Sequence, residues 1–134
     1  MLGGSGLVGS AAAFKLASAG WEVTSSGRAE TRFPRDLRDA GVRFVQSDRY
    51  IAGDLRRLLH DGADVVVDCV GYTAEHVRML LPFRHGIGSL VFISSKAVYV
   101  DDHGRHANSD EPPEFAGPVP EPQPTMPPSD IDYN

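Results

Sequence analysis

A single cysteine, Cys69, and two lysines, Lys15 and Lys96, stand in 134 residues. One thiol excludes an internal disulfide framework and any multi-cysteine zinc site. Inside an apolar run it reads as a small buried residue rather than a nucleophile. Long hydrophobic runs are also missing: none reaches the roughly 18 residues of a membrane span, and no charged-then-apolar segment opens the chain. A soluble, cytoplasmic protein without a membrane partner is the expectation. A basic stripe is absent as well. All 13 lysines and arginines lie at or before Arg105, against 12 of the 18 acids, so the first 106 residues carry +1 and the remainder −6. That balance argues against nucleic acid as the ligand. His60, His76, His85, His103 and His106 are scattered, and the close pair His103 and His106 lacks a third ligand at suitable spacing, so no metal is expected.

What is present is enough apolar residue, 41% of the chain, for one small core. Eight of the ten prolines fall between Pro112 and Pro128. Apolar residues there stand singly, so residues 107–134 read as an acidic, proline-rich loop or disordered tail beside a folded unit at 1–106. Within the folded unit, Val8, Ala12, Leu16 and Ala19 recur at helical spacing over Leu7 to Ala19, with Gly20 as a stop. Further helices are expected over Pro34 to Ala40, Asp54 to His60 and Ala74 to Leu81. Strands are expected at Trp21 to Ser25, Val42 to Gln46, Ala63 to Val70 and Ser89 to Ser94. The last two are nearly continuous apolar runs, which suit strands covered on both faces. The alternation implies an α/β fold, a Rossmann-like parallel sheet with right-handed crossovers.

Glycines three apart, Gly3, Gly6 and Gly9, open the first helix. A dinucleotide pyrophosphate requires a tight turn, a backbone without Cβ, and close helix–strand packing, and helix-end amides then face the anion. Cofactor contacts are accordingly expected from Gly3, Ser5, Gly6, Leu7, Val8 and Gly9. The hydrophobic strand that normally precedes such a loop is largely missing, because only Met1 and Leu2 stand before Gly3. The sheet is therefore expected to be incomplete at its centre, with flanking strands left open to unfolding or edge association. After the second expected element, Ser26 and Arg28 stand where an acid would select NAD. An arginine with small hydroxyl residues instead receives a 2′-phosphate and leans toward NADP, although Glu30 nearby is the alternative ribose ligand. Asp48 is placed to meet an adenine amino group, or is an exposed loop aspartate. Val70 and Gly71 close the apolar run that begins at Ala63, where backbone passes a cofactor or simply turns.

Gly3-x-x-Gly6-x-x-Gly9, the run from Asp64 to Gly71, and Phe92-Ile93-Ser94-Ser95-Lys96-Ala97-Val98-Tyr99 together resemble the extended short-chain dehydrogenase/reductase family, the NAD-dependent epimerase/dehydratases. The likeness covers about Gly3 to Asp101. It implies a nicotinamide cofactor, NADP or NAD, lying across the strand ends with Ser94 beside it. It also implies a role for Ser95, four residues before Tyr99, in hydrogen-bonding the reacting oxygen of a sugar nucleotide or small carbonyl or hydroxyl substrate. Lys96 departs from the small residue common there. The family's acid/base pair is a tyrosine with a lysine four residues later, an ammonium that lowers the phenol pKa. Tyr50, Tyr72 and Tyr99 are followed at that spacing by Asp54, His76 and His103, and Tyr133 by the chain end. The sequence thus reads as a fragment of a longer reading frame, inactive alone. The alternative is a non-catalytic dinucleotide-binding or interaction module.

Overall fold

The computed structural model describes residues 1–127. The chain divides into two compact units, Met1–Ile93 and Ser94–Asn134. In the first, helices α1 (Leu7–Ser18), α2 (Arg35–Asp39), α3 (Ala52–Leu59) and α4 (Ala74–Arg78) alternate with strands β1 (Thr24–Gly27), β2 (Arg43–Gln46), β3 (Ala63–Asp68) and β4 (Ile87–Phe92). β1 pairs in parallel with β2, Ser25 opposite Phe44, and β3 pairs in parallel with β4, Val66 opposite Leu90.

The start of the chain joins these two pairs. Leu2 bridges in parallel to Ser26 on one side and to Asp68 on the other. The Met1 ammonium donates to the Thr24 carbonyl at 2.8 Å, and the Ser26 amide returns to the Met1 carbonyl at 2.9 Å. On the opposite side the Leu2 amide donates to Val67 at 2.8 Å and the Cys69 amide to Leu2 at 3.0 Å. A stub of two residues thus takes the central position, and the order across the first unit is β2, β1, stub, β3, β4. This is a partial Rossmann-like α/β sheet, as the sequence implies. Successive side chains of an extended segment point to opposite faces, and the stub obeys the rule. Leu2 enters a core with Leu55, Leu59, Val66 and Leu80, while Met1 packs against a second core of Ala13, Val23, Phe33, Leu37 and Val42.

Several elements are shifted by a few residues from their expected bounds, β4 among them at Ile87–Phe92 instead of Ser89 to Ser94, and two show the physical reason. β1 begins at Thr24, not Trp21, because its ladder partner starts at Arg43; Trp21 is left 47% exposed. α4 stops at Arg78, ahead of the expected Leu81. The His76 carbonyl, which the Leu80 amide would take to continue an α-helix, accepts instead from the Arg49 guanidinium. The Leu80 amide turns to Val77 at 2.9 Å, a tighter turn, and a 3-10 segment with Pro82 in its first turn follows at Leu81–Gly86.

In the second unit a 3-10 turn, Lys96–Val98, leads to a short antiparallel contact between Tyr99 and Thr125. The Met126 amide donates to Val98 at 2.7 Å and the Val100 amide to Pro124 at 2.9 Å. The Asp101 carboxylate, buried, accepts from the amides of His103, Arg105 and Glu114, each at 2.9 Å, and from Arg105 Nε at 2.7 Å. The proline-rich stretch expected from residue 107 onward contributes Glu114 and Thr125 to these contacts; its last seven residues lie outside the described ones. No helix among the described residues is long and apolar enough to cross a membrane.

Candidate functional site

Where β1, β2 and β3 end, the loop from Gly3 to Gly6 floors a cleft of about 350 Å³. Ligands of parallel α/β sheets bind outside the carboxyl ends of the strands, and the cleft lies there. Its lining includes Gly3, Ser5, Gly6, Ser26, Arg28, Asp48 and Val70, all expected from the sequence. Gly27, Ala29, Arg32, Ser47, Arg49, Tyr50 and Tyr72 complete it.

Two of the loop glycines answer to the chain's own packing. Gly3 has φ +73°, the left-handed region glycine enters without penalty, and a Cβ there would lie 2.4 Å from Val70 Cγ1. A Cβ on Gly9 would lie 2.6 Å from the Gly3 carbonyl oxygen. Gly6 is different, because the nearest atom to a Cβ there is 3.5 Å away. The chain leaves that space open toward the cleft. Gly6 is also the N-cap of α1, with no side-chain cap and no acid in the first turn. The first amides of a helix lack intrahelical partners and carry the positive end of its dipole, so this end is suited to an anion.

Arg28 and Arg32, both exposed, give one wall two guanidinium groups. Glu30 does not line the cleft, and its carboxylate is taken by Arg38 Nη1 at 3.0 Å. The Ser47 hydroxyl is buried in the lining without a hydrogen-bond partner, a polar group the fold leaves unsatisfied. Asp48 is held in its loop from both ends. Its amide donates to Asp54 Oδ2 at 2.7 Å, and its own Oδ1 accepts from the Tyr50 amide at 2.9 Å. The first of these bonds holds the Asp54 carboxyl below the usual carboxylate range against the opposing effect of burial. On the far wall, Tyr50 Oη donates to the Val70 carbonyl at 2.8 Å. Burial and the neighbouring Tyr72 raise the Tyr50 phenol above its ordinary value, keeping it a donor.

Other expected residues stand elsewhere. Leu7 and Val8, 90% and 54% exposed, and Gly9 do not line the cleft. Gly71 is buried against Phe92, where a Cβ would come within 2.2 Å of the ring, so packing alone requires glycine there. Ser94 and Ser95 belong to the second unit, in which Ser95 caps the Lys96–Val98 turn by accepting from the Ala97 amide at 3.2 Å. Burial followed by the Asp68 charge raises the Cys69 thiol, which fits the inert reading of that residue.

Sequence reasoning missed Arg32, Ser47, Arg49, Tyr50 and Tyr72. The repeat of arginine at 28 and 32 was a usable signal. Nothing in the spacing marks Arg49, whose partner Asp68 lies 19 residues on.

The sequence profile of the NAD dependent epimerase/dehydratase family matches residues 1–121. No curated protein is significantly similar. The fold resembles the crystal structure of a provisionally named betaketoacyl-ACP reductase, with TM-score 0.58 and 23% identity, over 72% of this chain and 53% of that one. It also resembles a protein of Burkholderia pseudomallei provisionally described as exported, with TM-score 0.60 and 20% identity, over 84% and 55% respectively. The chain spans about half the length of these solved structures.

Proposed function

The chain belongs to the NAD dependent epimerase/dehydratase family, and from that premise we propose that its cleft holds the adenosine and pyrophosphate portions of a nicotinamide dinucleotide, with NADP preferred over NAD. The carrying observation is the conjunction of an uncapped helix end at Gly6 with a cleft wall bearing Arg28 and Arg32. The pyrophosphate lies against the Gly3–Gly6 loop and the first amides of α1. Arg28, with Ser26 beside it, receives the 2′-phosphate, and Asp48 faces the adenine amino group. Val70 supplies the backbone edge on the other wall. Glu30, engaged by Arg38, is a poor ribose ligand. When bound, the dinucleotide would supply hydride transfer at its nicotinamide ring. In the family's chemistry Ser95 orients the reacting oxygen of a sugar nucleotide or a small carbonyl or hydroxyl substrate. A cytoplasmic setting, where nicotinamide dinucleotides are held, suits this reading.

A second reading is favoured by one observation: no tyrosine of the chain has a lysine four residues later. By itself the chain then binds the dinucleotide and performs no turnover, since loss of a general acid/base costs about 10²–10⁴ in rate. Calorimetry with NADP and NAD tests the cofactor assignment. A charge-assisted contact to Arg28 favours NADP by roughly 10–150-fold, and Arg28→Ala erases most of that preference while leaving NAD binding nearly unchanged. Tighter binding of NAD, abolished by Glu30→Ala, would return the ribose to the acid. Multiple turnover by the chain on sugar nucleotides or simple carbonyls, followed by nicotinamide absorbance, would set aside the non-catalytic reading.

A further inference from the structure

Arg49 is 4% exposed and its partner Asp68 is fully buried. Nε and Nη2 of the arginine both donate to Asp68 Oδ2, at 3.0 and 2.7 Å, and Nη2 reaches the His76 carbonyl as well. From Asp68 the connection continues. Its other oxygen, Oδ1, accepts from the Val70 amide at 3.1 Å. From His76 it also continues, because Nδ1 accepts the amides of Tyr72 at 2.9 Å and Thr73 at 3.2 Å. Tyr50, next to Arg49 in the chain, donates to the Val70 carbonyl and packs its ring 4.8 Å from that of His76. Every one of these bonds ends on the segment from Val70 to Thr73 or starts from Arg49 and Tyr50. Residues of both segments, Arg49 and Tyr50 on one and Val70 and Tyr72 on the other, line the cleft.

A buried ion pair is a weak source of stability, because desolvation of both charges offsets their attraction and an apolar pair of similar volume often does as well. An apolar pair would fill the space without fixing the direction of either segment. An arginine can do both, since its planar fork presents several donors in fixed geometry.

We propose that Arg49 is a positioning residue for the adenosine end of the ligand, fixing the Asp48–Tyr50 stretch of the lining against the Val70–Tyr72 stretch through Asp68 and the His76 carbonyl. The proposal rests on the dinucleotide reading of the cleft. It assigns Arg49 no contact with the reacting atoms and predicts an effect confined to one end of the ligand. The pyrophosphate end is set by the Gly3–Gly6 loop and the first amides of α1, and the loop's own backbone bonds run to Ser26 and within the loop.

The test uses the full chain and two probes, 2′,5′-ADP for the adenosine end and inorganic pyrophosphate for the loop. Arg49→Met alone leaves a buried, unpaired aspartate and is expected to unfold. The informative variant is Arg49→Met combined with Asp68→Asn, which removes both charges and keeps an acceptor for the Val70 amide. Arg49→Lys is its companion, retaining the charge but not the fork. Thermal unfolding reports stability, and calorimetry reports binding. In whichever variant stays folded, 2′,5′-ADP should bind at least about tenfold more weakly, with pyrophosphate affinity unchanged. Wild-type affinity for 2′,5′-ADP in a folded variant overturns the proposal, and so does equal loss of both probes, which marks a general structural role. Should the wild-type chain bind neither probe, the dinucleotide reading itself fails and the proposal falls with it.

Discussion

Gly6 and Gly9 stand three residues apart, one the N-cap of α1 and the other in its first turn, yet different neighbours constrain them. A methyl on Gly9 meets the Gly3 carbonyl oxygen at 2.6 Å and the Gly4 Cα at 2.8 Å, backbone that cannot move without unseating α1 from the loop. A methyl on Gly6 meets nothing of the chain nearer than 3.5 Å, and its φ of −78° suits any residue. Gly9→Ala should therefore destabilise the fold by more than about 1 kcal/mol. Gly6→Ala should cost no more than the modest loss of a glycine N-cap, about 1 kcal/mol or less, while weakening pyrophosphate and dinucleotide binding, because on the proposed function its methyl would project where the phosphates would lie. Thermal unfolding and calorimetry on the two variants separate these outcomes. The glycine spacing was legible in the sequence, and with it the three roles of turn, open approach and helix–strand packing, but not which distances enforce each. Only the distances show that a Cβ on Gly9 or Gly71 would meet the chain's own atoms while the space at Gly6 stays open.

Among the elements, the loop after Tyr99 is organised by one carboxylate. Burial pushes the Asp101 carboxyl up, yet the amides of Glu114 and Arg105, the Arg105 guanidinium and the His103 amide together hold it well below the usual carboxylate range. A carboxyl whose folded pKa is depressed contributes stability that is fully present above its unfolded value, about 4, and is lost as pH falls through the folded value. The amide resonances of His103, Arg105 and Glu114 should accordingly move together on acidification, with a shared midpoint below about pH 4. Asp101→Asn should loosen the same three amides at neutral pH and abolish that shared transition. A composition rich in proline and acid gave no hint of this order, because the partners come from positions 4 and 13 residues downstream. α4 teaches the same lesson in reverse. Its periodicity runs on to Leu81, but the Arg49 guanidinium takes the carbonyl that would extend it.

At the scale of the whole molecule, the first unit hangs on Leu2. It is 1% exposed, packs with Leu55, Leu59, Val66 and Leu80, and its backbone bonds to β3 while bridging to β1. Leu2→Ala should cost about 2–5 kcal/mol, a large fraction of the stability of a domain this small. The unfolding transition should broaden as the stub loses its anchor in the core of Leu55, Leu59, Val66 and Leu80. Five apolar residues placed before Met1 should have the opposite effect, sharpening thermal unfolding by pairing between the early parts of β1 and β3. A broad transition that neither change alters would mean the strand pairs already unfold independently. The sequence by itself determined the α/β class, the parallel order and the glycine loop, because these follow from local periodicity and from the few residues that tolerate a tight turn. It also identified the family. What only the tertiary structure decided is which distant groups meet: the stub of Met1 and Leu2 between β1 and β3, Arg49 with Asp68, and the exposure of Leu90 and Val91 on β4, a run that reads as covered on both faces. Hydrogen bonds and burial between residues far apart in the chain leave no local pattern, so they become visible only when the fold brings their partners together.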